Sequence, residues 1–268
     1  MNDADFAGTI ERFTGFGGHY DAVRPAPPAA LAELLLPMAG FAKAELIVDL
    51  GSGTGLATRY WSQWARSVIG IEPTAAMREE AERQGGGNIR YQEGYSHATG
   101  LPDDCADLVV CSQALHWMEP VSTFVEAGRI LRTGGVFAAC DYDWPPVTPS
   151  WEADQAYLEC MAYCHRLERE HRVSEDVPRW DKATHLARLK ESGQFRFTRE
   201  CLLHHEDEGN ADRFVGLLLS QGHVQTLLKR GFSAEDLHID RLRAVAERAL
   251  GTDNRRWFWS ARVRLGIR

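Results

Sequence analysis

Several classes of protein are disfavoured by what this sequence lacks. None of its apolar runs approaches the ~20 residues that span a bilayer. Its N-terminus lacks the charged, apolar and small-residue regions of a signal peptide. The six cysteines show no spacing typical of a disulfide framework. We therefore expect a cytoplasmic protein that keeps reduced thiols and does not associate with a membrane.

The charge and size of the chain limit its partners and its architecture. The formal net charge is −8, and no block of Lys and Arg of the kind that follows a phosphate backbone occurs. We therefore do not expect nucleic acid as a substrate. With 268 residues and 44% hydrophobic composition, the chain has ample material for a core. We expect one α/β domain with insertions.

The stretch of residues 45–56, with the sequence ELIVDLGSGTGL, organises the chain. Its apolar part is rich in β-formers and predicts a buried strand that ends at Leu50. Glycines that permit positive φ follow at once: Gly51, Gly53 and Gly55. Thr54 can cap a helix over residues 55–64. A strand, a glycine turn and a helix N-terminus together present backbone N–H groups to a ligand.

The glycine spacing and the acid before it indicate which ligand binds there. A dinucleotide fingerprint needs Gly-x-Gly-x-x-Gly, but Leu56 stands where its third glycine would be. The carboxylate of Asp49, just before the turn, would repel a pyrophosphate. The pattern therefore favours an amino-acid-like ligand, with an ammonium and a carboxylate, over a nicotinamide dinucleotide.

A second strand and turn strengthen this interpretation. Residues 67–71 (SVIGI) predict a strand that ends at Glu72, about twenty residues after the first glycine, where a carboxylate can accept both hydroxyls of a ribose. Pro73 then begins a helix whose first turn carries Met77. Together, the segments VDLGSGTGL and IEPxxxM resemble the cofactor half of class I S-adenosylmethionine-dependent methyltransferases of the small-molecule, type 11-like branch.

This resemblance implies a fold, a cofactor and a set of site residues. The fold is a Rossmann-like, doubly wound seven-stranded sheet with an N-terminal arm and helical cap insertions. The cofactor is S-adenosyl-L-methionine, which leaves as S-adenosyl-L-homocysteine once its methyl group has passed to a small-molecule acceptor. By this resemblance Glu72 holds the ribose, while Pro73 and Met77 lie near the adenine. The methionyl part contacts the glycine turn and its neighbours: Asp49, Gly51, Ser52 and Gly53.

We divide the expected single domain, residues 1–268, into four parts. The resemblance implies an N-terminal lid arm over residues 1–30 and a cofactor-binding core over residues 31–141. A change to tryptophans, prolines and helical spacing predicts a helical cap insertion over residues 142–177, where acceptor specificity is expected. Residues 178–268 then contain the C-terminal part of the sheet with inserted helices.

The C-terminal part combines helical and strand patterns. Residues 178–192 predict a helix, residues 194–203 a strand and residues 204–250 further helices. The closing segment alternates between apolar and polar residues, as a strand does. Its inward positions are 257, 259, 261, 263 and 265. Its outward positions are Ser260, Arg262 and Arg264, and we interpret the arginines as a solvated face.

The N-terminal arm carries the pattern Tyr20-x-x-x-Arg24-Pro25. It resembles the opening of small-molecule methyltransferases, in which this segment folds over the cofactor. By that resemblance Tyr20 lies beside the transferring methyl and Arg24 near the methionyl carboxylate. The alternative is a surface anchor in which Arg24 is solvated, since isolated arginines and aromatic residues are common on surfaces.

Two further strand ends carry candidate site residues. After a strand over residues 88–93, the family usually places an acidic residue against the adenine, and this chain has Gly94, Tyr95 and Ser96. Adenine recognition is then left to backbone groups, the Ser96 hydroxyl and stacking by Tyr95. After a strand over residues 106–111, Gln113 and His116 would face the cofactor and the acceptor, because ligands bind beyond the carboxyl ends of such strands.

The acceptor chemistry leaves alternatives open. In one, His116, whose side chain has an ordinary pKa near 6.5, orients the acceptor with Tyr20 and relays its proton. In another, a divalent metal, possible by ligand type but not expected, assists C-methylation of a 2-oxo acid. Its candidate ligands are Gln113, His116, His204, His205 and His223. A third alternative is a non-catalytic, cofactor-binding regulatory protein. For the assembly we expect a monomer or a homodimer.

Overall fold

The computed structural model describes residues 21–173 and 178–268. Its strands are β1 (Ala44–Leu50), β2 (Ala65–Ile71), β3 (Ile89–Gln92), β4 (Ala106–Ser112), β5 (Leu131–Tyr142), β6 (Phe197–Gly209) and β7 (Arg255–Ile267). Its helices are α1 (Ala29–Met38), α2 (Leu56–Trp61), α3 (Ala75–Gln84), α4 (Pro120–Ile130), α5 (Trp151–Glu170), α6 (His185–Glu191), α7 (Ala211–Leu219), α8 (Gly222–Lys229) and α9 (Ile239–Ala249). Within these described ranges, no helix combines the length and apolarity that a bilayer crossing requires.

The seven strands form one sheet in the order β3-β2-β1-β4-β5-β7-β6. Strands β1 to β5 pair in parallel, whereas β7 runs antiparallel to β5, with Tyr142 opposite Ala261. The strand order reverses between β1 and β4, and in such sheets ligands bind outside the carboxyl ends at the reversal. The predicted doubly wound, seven-stranded α/β fold is thereby confirmed.

The central strands are buried on both faces, as a parallel sheet between helices requires. All residues of β4 from Ala106 to Cys111 are buried, and so are the last four residues of β1. Phe124 of α4 meets Phe137 of β5 edge to face, with ring centroids 5.5 Å apart. This packing fixes the strand ends, from which the polar site residues project.

The chain forms two compact units. The sheet unit comprises residues 26–142, 178–203 and 261–268. The helical unit comprises the described parts of residues 1–25, 143–177 and 204–260. The glycine turn and the ends of β2, β3, β4 and β5 all belong to the sheet unit. The domain boundaries drawn from the sequence stay a prediction.

Two helices of the sheet unit are shorter than predicted. The helix after the glycine turn ends at Trp61, and Thr54 does not cap it. Instead Gly55, in the left-handed region with φ +83°, occupies the cap position without a side-chain hydrogen bond. The helix predicted from residue 178 begins only at His185, because a 3₁₀ turn over Lys182–Thr184 precedes it.

The strand β6 is longer than predicted. We expected helices from residue 204, but β6 continues to Gly209 through the polar run His204–Glu208 with alternating exposed and half-buried residues. A period of two is the strand pattern, and the charged composition of this run concealed it. The predicted helices follow after Asn210, whose side chain accepts a hydrogen bond from the Arg213 N–H at the start of α7.

The closing strand β7 confirms one part of its interpretation and corrects another. Its apolar positions are buried as predicted: Trp257, Trp259, Ala261, Val263 and Leu265. The interpretation of Arg264 as part of a solvated face is wrong, since this residue is only 4% exposed. All residues from Val263 to Gly266 are buried, because β7 lies inside the sheet and both of its faces are covered there.

A buried carboxylate joins the beginnings of three neighbouring strands. Asp107 of β4 is fully buried, and its Oδ2 accepts hydrogen bonds from the N–H groups of Glu45 (2.6 Å) and Leu46 (3.0 Å) in β1. Its Oδ1 accepts from Arg132 Nη1 of β5 at 2.7 Å. Hydrogen bonds to a charged acceptor are worth more than neutral ones, so Asp107 fixes the register of β1, β4 and β5.

We predict that Asp107→Ala lowers the free energy of unfolding by about 2–4 kcal/mol, because two backbone N–H groups of β1 and the Arg132 guanidinium lose their buried acceptor. Urea unfolding followed by circular dichroism measures this change. The control is Asp103→Ala, which removes a carboxylate that is 71% exposed and paired with Arg129; we expect a change within about 0.5 kcal/mol. Equal losses in the two variants would contradict the role assigned to Asp107.

Candidate active site

The first glycine of the turn is held against the segment that follows β4. Gly51 has φ +68°, and a Cβ built on it would lie 2.7 Å from Met118 Cε and 2.8 Å from Ala114 Cβ. By contrast, a Cβ on Gly53 would meet no heavy atom within 4 Å. The sequence needs glycine at 51 for both conformation and space, and this close approach brings residues 113–118 directly beside the turn.

The turn is fastened to the end of β2 by the Glu72 carboxylate. Its Oε2 accepts from the Gly53 N–H at 3.0 Å, and its Oε1 accepts from the Thr74 N–H at 2.9 Å. Burial raises the pKa of Glu72 above its usual value, while these N–H donors act in the opposite direction. Glu72 therefore connects the glycine turn to the N-terminus of α3.

Asp49 places a second buried carboxylate beneath the turn. It is 1% exposed, and its Oδ2 accepts from Thr58 Oγ1 of α2 at 2.6 Å. Among the described residues, its Oδ1 has no hydrogen-bond partner. Burial raises the pKa of Asp49 to about 7. A buried carboxylate oxygen without a donor needs a cationic or N–H-bearing ligand to satisfy it.

The segment after β4 carries Gln113 and His116. Gln113 has φ +55°, which is rare for a residue with a side chain, and its N–H donates to the Cys140 carbonyl at 2.9 Å. His116 is 6% exposed and lies in a 3₁₀ turn, where its carbonyl accepts from the Trp180 N–H at 2.9 Å. The main chain therefore fixes both residues at the carboxyl edge of the sheet.

An ionic cluster stands beside these two residues at the end of β5. Asp141 is 3% exposed; its Oδ1 lies 2.7 Å from Lys182 Nζ, and its Oδ2 accepts from Arg264 Nη1 at 2.9 Å. The His116 Nδ1 lies 3.9 Å from the same Oδ1. Lys182 Nζ also donates to Gln113 Oε1 at 3.3 Å. The cluster thus joins the ends of β4 and β5 to the segment before α6.

Sequence reasoning missed the charged members of this cluster. Asp141 stands near the end of the fifth strand, where the rule on ligand sites at carboxyl ends could have pointed to it. Lys182 and Arg264 carry no such signal, because each is an ordinary surface residue type in its own segment. Only the tertiary fold brings residues 141, 182 and 264 together.

The residues predicted to meet the adenine lie where β3 ends and α3 begins. Met77 is buried, and the Tyr95 N–H and carbonyl pair with the Ala98 backbone. The Ser96 hydroxyl is 2.7 Å from Thr123 Oγ1, so one of its hydrogen bonds is already made within the protein. The Tyr95 ring stacks on His97. Recognition of the adenine by Gly94, Tyr95 and Ser96 stays a prediction.

The remaining predicted site residues that the structure describes belong to the helical unit. Tyr20 is outside the described residues. Arg24 belongs to the helical unit, where it donates to the Ser220 hydroxyl at 2.8 Å and lies over the Trp144 ring. The helical unit also contains the predicted metal ligands His204, His205 and His223. Over residues 21–173 and 178–268, no three His, Cys, Asp or Glu side chains are grouped as a metal site needs.

We predict that the raised pKa of Asp49 makes stability depend on pH. Between its unfolded pKa near 4 and its folded pKa of about 7, the native state holds a proton that the unfolded chain has lost. This contribution to stability is fully present below about pH 4 and is lost as the pH rises from there through about 7. Relative to Asp49→Asn, the wild type should lose about 2–3 kcal/mol of unfolding free energy between pH 5 and pH 8.

Urea unfolding of both proteins at several pH values measures this difference. The Asp49→Asn variant keeps the side-chain shape and an acceptor for Thr58, so it removes the titration with little other change. Parallel pH profiles of the two proteins would show that Asp49 does not titrate in this range.

Residues 48–139 of this chain match the model of a family described as a methyltransferase domain. The matched segment begins in β1 and ends in β5. It includes the glycine turn, Glu72, Gln113 and His116. The family match therefore covers the part of the sheet unit in which the candidate site residues come together, and it does not extend to Lys182.

The sequence is also similar to individual proteins that are named as methyltransferases. The chain is 31% identical over 147 residues to a Saccharomyces cerevisiae protein named as a probable S-adenosylmethionine-dependent methyltransferase, CRG1, with 53% of this chain and 50% of that relative covered. It is 36% identical over 93 residues to malonyl-[acyl-carrier protein] O-methyltransferase of Pectobacterium atrosepticum, with 34% and 36% covered. The matched part of the chain thus spans half the length of the yeast relative and 36% of the length of the second relative.

A solved structure shares the fold over nearly the whole chain. It is described as a type II methyltransferase from Anaeromyxobacter dehalogenans, and it aligns with a TM-score of 0.64 at 24% sequence identity. The alignment covers 91% of this chain and 97% of that chain. At this level of identity the likeness concerns the fold.

Proposed function

We propose that this chain, a member of the class I S-adenosylmethionine-dependent methyltransferases, transfers a methyl group from S-adenosylmethionine to a small-molecule acceptor held beside the carboxyl ends of β1 and β4. The name of the yeast relative includes this cofactor. The family match over residues 48–139 supports methyl transfer for the core of the chain, and the proposal extends this activity to the whole chain.

One observation carries the proposal: two buried carboxylates flank a glycine turn, and one of them has an oxygen without a partner in the described chain. Asp49 Oδ1 can accept from the ammonium of a methionyl group, and a cationic ligand favours its charged form. Glu72 has both oxygens turned to backbone donors, and each keeps a lone pair for a ribose hydroxyl. These groups suit a positively charged sulfonium nucleoside.

Bound S-adenosylmethionine supplies a methyl group that is already activated by its sulfonium. The protein must therefore hold the acceptor in line with that methyl group and exclude water. For a hydroxyl or amine acceptor, a base must also take up the proton. His116 stands at the edge of β4 for this role. The proton passes to its imidazole as the new bond to carbon forms and the carbon–sulfur bond breaks.

The charge of the chain supports a small-molecule acceptor. Net charge −8 without a basic block favours a small molecule over nucleic acid. Neither the metal-assisted reaction on a 2-oxo acid nor a non-catalytic regulatory role has support from the comparisons or from a ligand group in the described residues. A cytoplasmic location and a monomeric or homodimeric state stay predictions.

We predict that Glu72→Gln weakens binding of S-adenosylmethionine about 10- to 100-fold in titration calorimetry. The amide has one acceptor oxygen where the carboxylate has two, so either Gly53 or Thr74 loses its acceptor together with a ribose hydroxyl. The matched control is Glu93→Gln, which changes a 75% exposed carboxylate paired with Arg78. Wild-type protein that binds no S-adenosylmethionine would overturn the proposed function.

We predict that His116→Asn lowers kcat for the methylated acceptor by about 100- to 10,000-fold, the usual contribution of a positioned general base. Formation of S-adenosylhomocysteine in the presence of an acceptor library identifies the acceptor and measures the rate. Affinity for S-adenosylmethionine should stay within about twofold of the wild type, because His116 acts on the acceptor. An unchanged kcat would remove His116 from the reaction.

A further inference from the structure

Lys182 extends from the segment before α6 to the carboxyl edge of the sheet. Its Nζ lies 2.7 Å from Asp141 Oδ1, at the end of β5, and 3.3 Å from Gln113 Oε1, just after β4. Its side chain is 29% exposed, whereas Asp141 is 5% exposed on the same measure. The ammonium is therefore the part of this ionic cluster that a ligand at the edge of β4 and β5 can reach.

The ammonium has more donors than its protein partners use. A lysine ammonium carries three N–H groups. Gln113 Oε1 accepts one of them, and Asp141 Oδ1 forms an ion pair with the ammonium at 2.7 Å. One donor and part of the positive charge of Lys182 remain available to a ligand that approaches from the exposed side.

Asp141 has a second cationic partner besides Lys182. Its Oδ2 accepts from Arg264 Nη1 at 2.9 Å, and Arg264 is only 5% exposed. Burial strengthens this second ion pair, so the Asp141 carboxylate stays paired when Lys182 turns toward a ligand. Of the two cations that pair with Asp141, Arg264 is buried and Lys182 is the one accessible to a ligand.

The backbone of Gln113 supports a functional role for this contact. A glutamine at φ +55° stores strain, and strained residues of this kind cluster at sites where the geometry serves a ligand. Here the strained conformation places the side-chain oxygen against Lys182 Nζ. It thereby orients the ammonium beside the segment that carries His116.

We propose that Lys182 binds a carboxylate of the acceptor, so that the methyl acceptor is a small carboxylic acid that also carries the hydroxyl or amine to be methylated. This inference rests on the proposed function. A carboxylate fits better than a phosphate, because the nearby Asp141 carboxylate would repel a second negative charge. The acid is held by Lys182, and its protic group faces His116.

We test the inference by titration calorimetry on protein saturated with S-adenosylhomocysteine. The probes are hydroxybenzoates, aminobenzoates and short aliphatic hydroxy acids, each paired with its primary amide, which has nearly the same shape without the charge. Wild-type protein should bind at least one acid about tenfold or more tightly than its amide, the worth of one hydrogen bond to a charged group. Lys182→Met should abolish that preference.

Variants separate the charge of Lys182 from its structural role. Lys182→Arg should keep part of the preference, and Lys190→Met, which removes an exposed lysine of α6, should keep all of it. Lys182→Gln retains polarity and replaces Lys182→Met if thermal unfolding shows that the methionine variant does not fold. The affinity for S-adenosylhomocysteine should be the same in all of these variants.

The outcomes distinguish the two proposals. If S-adenosylhomocysteine and S-adenosylmethionine do not bind, the proposed function fails. If they bind but no acid is preferred to its amide, or if Lys182→Met keeps the preference, the inference about Lys182 fails and the proposed function stands. A preferred acid that is also methylated, with the methyl group on its hydroxyl or amine, supports both.

Discussion

The structure of the site depends on the hydrogen bonds that the Glu72 carboxylate accepts from two backbone N–H groups. One donor belongs to the glycine turn after β1 and the other to the start of α3. Because each bond involves a charged acceptor, each is stronger than a bond between neutral groups. Removing the carboxylate would free the turn from the end of β2, because the N–H groups of Gly53 and Thr74 would lose their shared acceptor.

Two buried carboxyl groups lie beside the glycine turn. Asp49 and Glu72 are both buried, and burial raises the pKa of each. Two carboxylates kept out of water are costly in a ligand-free protein, and a cationic ligand lowers that cost by favouring their charged forms. A cationic ligand beside the turn would therefore stabilise the charged forms of both carboxyls. A pyrophosphate, by contrast, would be repelled by the Asp49 carboxylate.

The sequence predicts those parts of the site whose residues are close together in the chain. The strand before Gly51, the turn itself and Glu72 lie within about one βαβ unit, and the spacing of such a unit is set by local geometry. The positions after β4 were also predictable, because strand order places the ligand at carboxyl ends. Helix ends were predicted less well, as Thr54 shows, because a left-handed Gly55 competes with side-chain capping.

The residues that escaped prediction are those whose environment is set by the neighbouring strand. Arg264 alternates with apolar residues, and on an edge strand it would face solvent. Here β7 lies between β5 and β6 and Arg264 is buried, so its guanidinium needs an anion. Asp141 of β5 and Glu200 of β6 both accept from Arg264, and Lys182 is the more exposed cation beside Asp141. The sheet order, which places β7 beside β5, thus determines which side chains meet at Asp141 although they are far apart in the sequence.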